Sequence, residues 1–282
     1  MAASQYIVSD KRVPVENPSG EITVRYVRPS DDGETYPVLV WWHGGGWAIG
    51  DLNMDDNLLR TIAVELKLAV VNVDYRLSPE YPFPTPVEDC YTALKWVAEN
   101  AASLNIDLKK GFLVGGDSAG GNMSAAIALK ARDDPFFASR PLTGQYLREP
   151  AVAFPGAHPE KYKAEILSFD KYTDTPLLNK ELTLRYFAAY GCPPSDLRVS
   201  PLLASSHAGL PPAFIQVQEF DPVHDDGPLY EKVLREAGVP VKLIEYAGCL
   251  HSFHYMFPSI GPAVKLDRDA RDGLRWLLSH SK

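Results

Sequence analysis

Cysteine is scarce in this chain, with three residues: Cys90, Cys192 and Cys249. Their odd number and the lack of any Cys-x-x-Cys pair speak against a disulfide framework or a zinc ribbon, so they read as buried free thiols. Long apolar runs are missing too. None approaches the roughly 18 residues that cross a bilayer, so no stable membrane anchor is expected. The stretch from Met1 to Tyr6 offers neither the basic start nor the apolar core of a secretory leader, which makes a cytoplasmic location the expectation. Positive charge is in deficit, with 28 Lys and Arg against 36 Asp and Glu, for a net −8. Such a surface repels phosphate backbones and argues against nucleic acid as a partner. Disorder is excluded by a hydrophobic share of 45% beside a charged share of 23%. Proline alone is in surplus, at 24 of 282 residues, which implies many fixed turns.

Short apolar runs alternate with stretches of helical periodicity, the pattern of a mostly parallel sheet covered on both faces. Strands are expected at residues 22–28, 38–42, 69–73, 111–114, 151–154, 213–218 and 241–246. Val87, Cys90, Tyr91 and Leu94 recur at helical spacing, and a last helix is expected over 263–278. Between 156 and 203 the alternation stops, leaving several aromatics and one helix expected over 179–190. That insertion is too short for its own core and reads as a small cap over a sheet edge. The expected organisation is therefore one α/β domain spanning 1–282 with a reduced cap.

The most informative stretch is Gly115-Gly116-Asp117-Ser118-Ala119-Gly120-Gly121-Asn122. It contains Gly-x-Ser-x-Gly between an apolar run and a helical one. A serine at the tip of a sharp strand-to-helix turn needs small neighbours two residues away on either side, and its hydroxyl then stands clear of the sheet. Alone the motif is weak, since chance supplies it to roughly one chain in ten of this length. His43-Gly44-Gly45-Gly46-Trp47 is far rarer and directly follows the run 38–42. Consecutive glycines can turn backbone N–H groups toward a ligand oxygen, as an oxyanion requires. A phosphate loop is the competing reading, but the Lys-Ser/Thr of a P-loop is missing. Ala119, directly after the serine, would add a further N–H donor, and His43 reads as structural.

A serine nucleophile needs a histidine base and a carboxylate to orient it, in the chain order Ser, acid, His. His251 lies just past the run 241–246, where doubly wound sheets place their sites. Asp221 holds the equivalent place after 213–218. Asp225 and Asp226 are its rivals, but they sit where helix-capping carboxylates are expected. For the base, His254 is the fallback, while His224 reads as serving its own loop. His158, His207 and His280 fall in the cap, a Ser-rich loop and the tail.

Together with Asp74-Tyr75-Arg76-Leu77-Ser78-Pro79-Glu80, Ser200-Pro201-Leu202 and Asp221-Pro222, these motifs resemble the hormone-sensitive-lipase-like branch (family IV) of the α/β-hydrolases, carboxylesterases among them. The resemblance covers about 22–280. It implies an α/β-hydrolase fold, with Ser118 as nucleophile, His251 as base, Asp221 as orienting acid and Gly45, Gly46 and Ala119 as oxyanion donors. Asp74, Arg76 and the prolines from Pro79 to Pro86 are expected to brace the site, while Pro155, Pro159, Pro193, Pro194 and Pro201 mark the cap. Two departures stand out. Only 42 residues precede His43, where the family commonly carries a longer segment with cap helices. That predicts a more open pocket, or one completed by a second copy of the chain as a homodimer. Ser252 also follows the base where the family usually has glycine.

The expected function is hydrolysis of small or medium acyl esters through an acyl-enzyme, with a small-molecule ester as partner and no metal or cofactor. An amide or formamide hydrolase of arylacetamide or kynurenine-formamide type uses the same triad. The plant gibberellin receptor shares the fold without hydrolysing anything, so a non-catalytic receptor is the remaining alternative. Trp47, Phe154, Tyr186, Phe187, Phe253 and Met256 are the expected pocket wall.

Overall fold

The computed structural model describes residues 3–30 and 33–281. Its strands are β1 (Tyr6–Val15), β2 (Gly20–Pro29), β3 (Val38–Trp42), β4 (Ala69–Asp74), β5 (Phe112–Asp117), β6 (Gly144–Arg148), β7 (Ala213–Phe220) and β8 (Val241–Leu250). They form one sheet in the order β1-β2-β4-β3-β5-β6-β7-β8, parallel from β4 to β8 and antiparallel at the β1-β2-β4 edge. The helices are α1 (Asp56–Leu66), α2 (Thr85–Glu99), α3 (Ala119–Asp133), α4 (Ser168–Lys171), α5 (Lys180–Tyr190), α6 (Asp226–Glu236), α7 (Phe253–Met256) and α8 (Gly261–Ser279). This is the α/β-hydrolase fold.

The unbroken apolar runs follow from burial on both faces. In β3, Val38, Val40 and Trp42 point into the core shared with α2 and α3, while Leu39 and Trp41 point into the one shared with α1 and α8. A strand exposed on one face would alternate apolar with polar; this one has no such need.

Two expectations are corrected. Residues 151–154 are not a strand; the strand here is β6, a few residues earlier. Its polar letters hid it, because Gln145 and Arg148 are fully buried with partners rather than solvent-facing. Pro150 and Pro155 bracket 151–154, and its backbone is held by side chains instead of a ladder: Val152 N–H donates to Asp226 and Phe154 N–H to Ser200 Oγ. Second, the segment 156–203 is not confined to a sheet edge: Tyr172 meets Phe220 of β7 and His158 meets Asp226 of α6, but the segment also reaches the middle of the sheet. Its helix α5 begins on an Asn179 cap that accepts from Leu182 N–H at 2.9 Å, and it ends at Gly191. α5 packs on the loop after the central strand β3, where Tyr190 stacks on Trp47 with ring centres 4.5 Å apart. Strand β1 was not anticipated; it pairs only with β2 at the sheet's end, where weak apolar patterning suffices.

The proline-rich stretch ties these parts together. Ser78 N–H donates to Trp47 O and Phe83 N–H to Tyr190 O, linking it to the glycine loop and to α5. Arg76 makes a two-pronged pair with Asp89 of α2 and donates to Pro18 O of the β1–β2 turn. Cys90 and Cys249 are buried free thiols as expected, whereas Cys192 is only half-buried. No helix among the described residues is long and apolar enough to cross a membrane.

Candidate active site

Ser118 joins β5 to α3 with φ 51° and ψ −113°, a conformation that costs a non-glycine residue about 1–3 kcal/mol. The turn closes so tightly that a Cβ on Gly120 would lie 1.9 Å from the Trp42 carbonyl oxygen. Only glycine fits there, and the strained turn holds the Ser118 hydroxyl at the C-terminal end of the sheet.

The parallel strands β7 and β8 end beside it. Asp221 follows β7, and its Oδ1 accepts Val223 N–H at 2.8 Å, which fixes the carboxylate plane. His251 follows β8. Its Nδ1 lies 2.6 Å from Asp221 Oδ2 and its Nε2 lies 2.9 Å from Ser118 Oγ. Burial works against charge on the imidazole, but the Asp221 and Glu149 carboxylates outweigh it and push the group up to about 10. The arrangement can accept a proton at Nε2 and hold the resulting cation.

Gly45, Gly46 and Ala119 line a cavity of about 240 Å³ together with Ser118 and His251. Four of the six expected wall residues, Trp47, Tyr186, Phe187 and Met256, line it as well. Phe154 and Phe253 do not. Phe154 stands behind the wall, edge-on to Phe187, and Phe253 is buried against Tyr246, Cys249 and Leu266. Ile49, Met54, Leu177, Leu178 and Val223 also line it, from loops with no periodicity to mark them, together with Ala151, Thr183 of α5, Ser252 and Tyr255 of α7. No residue before Gly45 lines it among those described.

The other histidines and rival acids have separate work. His43 packs flat on Tyr75, its Nδ1 2.8 Å from Gly44 O, and burial lowers its proton affinity. Neither ring nitrogen of His254 has a partner among the described residues. Asp225 accepts Leu167 and Ser168 N–H at the start of α4 and pairs with His224. Asp226 accepts Val152 N–H and sits 2.6 Å from His158 Nε2, so it clamps the cap segment to α6.

Beneath the serine lies a buried ionic cluster that no motif announced. Arg148 is fully buried and donates to Asp117 at 2.5 Å and Asp55 at 2.6 Å. The Tyr255 hydroxyl lies 2.9 Å from Asp55 and 3.1 Å from Asp117. Glu149, next in the chain, accepts Ser252 N–H and Oγ and comes within 3.8 Å of His251 Nε2. Glu149, Asp221 and His251 converge within 4.8 Å, but their facing atoms are engaged on Ser252, Val223 and Ser118. All three are thereby tied into the protein's own hydrogen bonds.

Comparison with known proteins places these features in a family. The family described by the alpha/beta hydrolase fold matches residues 39–255. Carboxylic ester hydrolase LipN of Mycobacterium tuberculosis is 38% identical over 277 residues, covering 96% of this chain and 71% of that protein. Among solved structures, a vibralactone cyclase superposes with a TM-score of 0.96 at 43% identity, covering 100% of this chain and 82% of the other. A bacterial heroin esterase gives 0.87 at 31% identity, covering 99% and 86%.

Proposed function

Starting from the premise that this chain belongs to the alpha/beta-hydrolase family, we propose that it hydrolyses carboxylic esters of small or medium acyl groups through a serine mechanism. The observation that carries the reading is the continuous Ser118–His251–Asp221 chain, 2.9 and 2.6 Å long, at the floor of an apolar cavity. Ser118 Oγ attacks the ester carbonyl as His251 Nε2 takes its proton. The carbonyl oxygen, now an oxyanion, faces the backbone N–H groups of Gly45, Gly46 and Ala119. Collapse breaks the bond to the alcohol, which leaves with the proton from His251. Water then repeats the sequence on the acyl-serine, releasing the acid and restoring Ser118.

A second reading comes from the vibralactone cyclase, whose identity to this chain exceeds that of the esterases named above. A hydroxyl within the substrate would then take the place of water, giving its proton to His251, attacking the acyl carbonyl and releasing Ser118 as the lactone ring closes. The apolar cavity wall favours this second outcome to the extent that it slows access of bulk water to the acyl-serine.

Short-chain p-nitrophenyl esters test the proposal. A burst of p-nitrophenol, lost in Ser118→Ala with the fold intact, supports it. Absence of turnover on every acyl donor, amides and formamides included, together with no labelling by a fluorophosphonate, would leave only a receptor role. Product analysis separates free acid from a lactone.

A further inference from the structure

The mechanism above uses one carboxylate, yet the base faces two. We propose that Glu149 is a positioning residue that sets the proton affinity of His251 from the serine side and fixes the turn that follows it. Asp221 lies at Nδ1, on the far edge of the ring. Glu149 Oε1 lies 3.8 Å from Nε2, the nitrogen that gains the proton during attack. Its carboxylate is completely buried, and both its oxygens lie 3.0 Å from Ser252 N. Oε1 also accepts the Ser252 hydroxyl at 2.9 Å. Ser252 takes φ 57°, a left-handed conformation that favours glycine, and these three contacts hold it there. One side chain thus anchors the residue after the base and presents charge to the base itself.

The electrostatic consequence is a shared proton. Burial pushes the Glu149 carboxyl up to about 8 against the pull of His251, and Asp117 and Asp221 add to the rise. The other groups facing the pair are Arg148 and Tyr255, both held on Asp117, and His254 on α7, kept neutral by burial. Interacting groups of this kind lose protons in steps that belong to the pair. While Glu149 is ionised it favours the imidazolium and stabilises the charge that forms as Ser118 attacks. The cost is that His251 is already protonated over more of the acid range.

The inference rests on the reading of Ser118 and His251 as nucleophile and base. Its test is the pH profile of kcat/KM for p-nitrophenyl acetate in the wild type and in Glu149→Gln, which keeps the shape and an acceptor oxygen but removes the charge. A carboxylate this close typically moves a pKa by about 1–3 units, so the acid limb of the variant should shift down by about one unit or more. A folded variant whose limb coincides with that of the wild type would overturn the proposal. If glutamine unsettles the fold, the wild type carries the test itself. With ¹³C-labelled histidine, the His251 signal should titrate in two steps, one of them near 8 with Glu149. A single step would overturn the proposal equally. Wild-type inactivity on every acyl donor counts against the hydrolase reading instead, since the histidine titration needs no turnover.

Discussion

Arg148→Met removes the guanidinium that pairs with both Asp55 and Asp117 under Ser118 while keeping most of the side-chain volume. Arg148 and its partners Asp55 and Asp117 are at most 2% exposed at the side chain, so neither carboxylate can turn to water when the guanidinium goes. Breaking a buried ion pair from one side typically costs about 3–5 kcal/mol. Both pairs share one arginine, and their losses are not additive, so that range is the expected total. For a chain of this size it corresponds to a fall in melting temperature of roughly 6–10 °C. The loss has a pH signature. Burial already holds the Asp117 carboxyl above its ordinary value, and the Arg148 charge is what pulls it back. Without that charge it rises further. A group whose folded pKa is raised stabilises the fold below its unfolded pKa and loses that contribution as pH climbs through the folded value. The deficit against wild type should therefore be smallest near pH 5 and grow toward pH 8. Urea unfolding followed by tryptophan fluorescence at several pH values reads it. A second variant, Asp55→Asn with Asp117→Asn and Arg148→Met, removes the arginine together with both carboxylates it pairs with and should recover most of the stability, because neither partner is then left as an unpaired ion. A single variant within about 1 kcal/mol of wild type, or a deficit that shrinks as pH rises, would refute the argument.

Asp221→Asn keeps the geometry but presents an amide to His251 Nδ1, and kcat should fall about 10⁴-fold with the unfolding midpoint little changed. Tyr186→Ala removes the ring that covers Gly46 and should shift preference toward longer acyl chains, measured as kcat/KM across p-nitrophenyl acetate to laurate. The His158–Asp226 clamp predicts a pH effect on the cap. Burial opposes charge on His158, but Asp226 prevails and raises its proton affinity, so the clamp is strongest in acid and weakens as pH rises through the folded pKa. Limited proteolysis within 156–203 should be faster at pH 9 than at pH 6, and Asp226→Asn should abolish the difference.

Much of the fold was legible because its strongest signals are local. Val38–Trp42 reads as a doubly buried strand from five consecutive apolar letters, and it is one. Asn179 and Gly191 bracket α5 with a cap and a left-handed stop, both written into the sequence. The same logic failed where polar residues are buried by pairing. Gln145 and Arg148 made β6 look like a loop, and the apolar 151–154 took its place as the expected strand. Hydrophobic patterning sees which side chains avoid water, and a neutralised arginine avoids water as thoroughly as a leucine.

The candidate site divides along the same line. Ser118, Asp221 and His251 were legible because each follows a strand, and parallel strands deliver their C-terminal ends to one place. Glu149 also follows a strand, but that strand was the misplaced one, so nothing pointed to a fourth group at the same edge. Ser252 was noted as a departure from the glycine expected after the base, and its left-handed backbone explains why glycine is the usual choice. What permits serine is the pair of hydrogen bonds its amide and hydroxyl give to Glu149. The substitution and the buried carboxylate are thus one feature seen from two positions, 103 residues apart in the chain. A glycine at 252 would need no such anchor, which makes Ser252 the residue in the sequence that betrays Glu149. It does so only once β6 is in register beside β7.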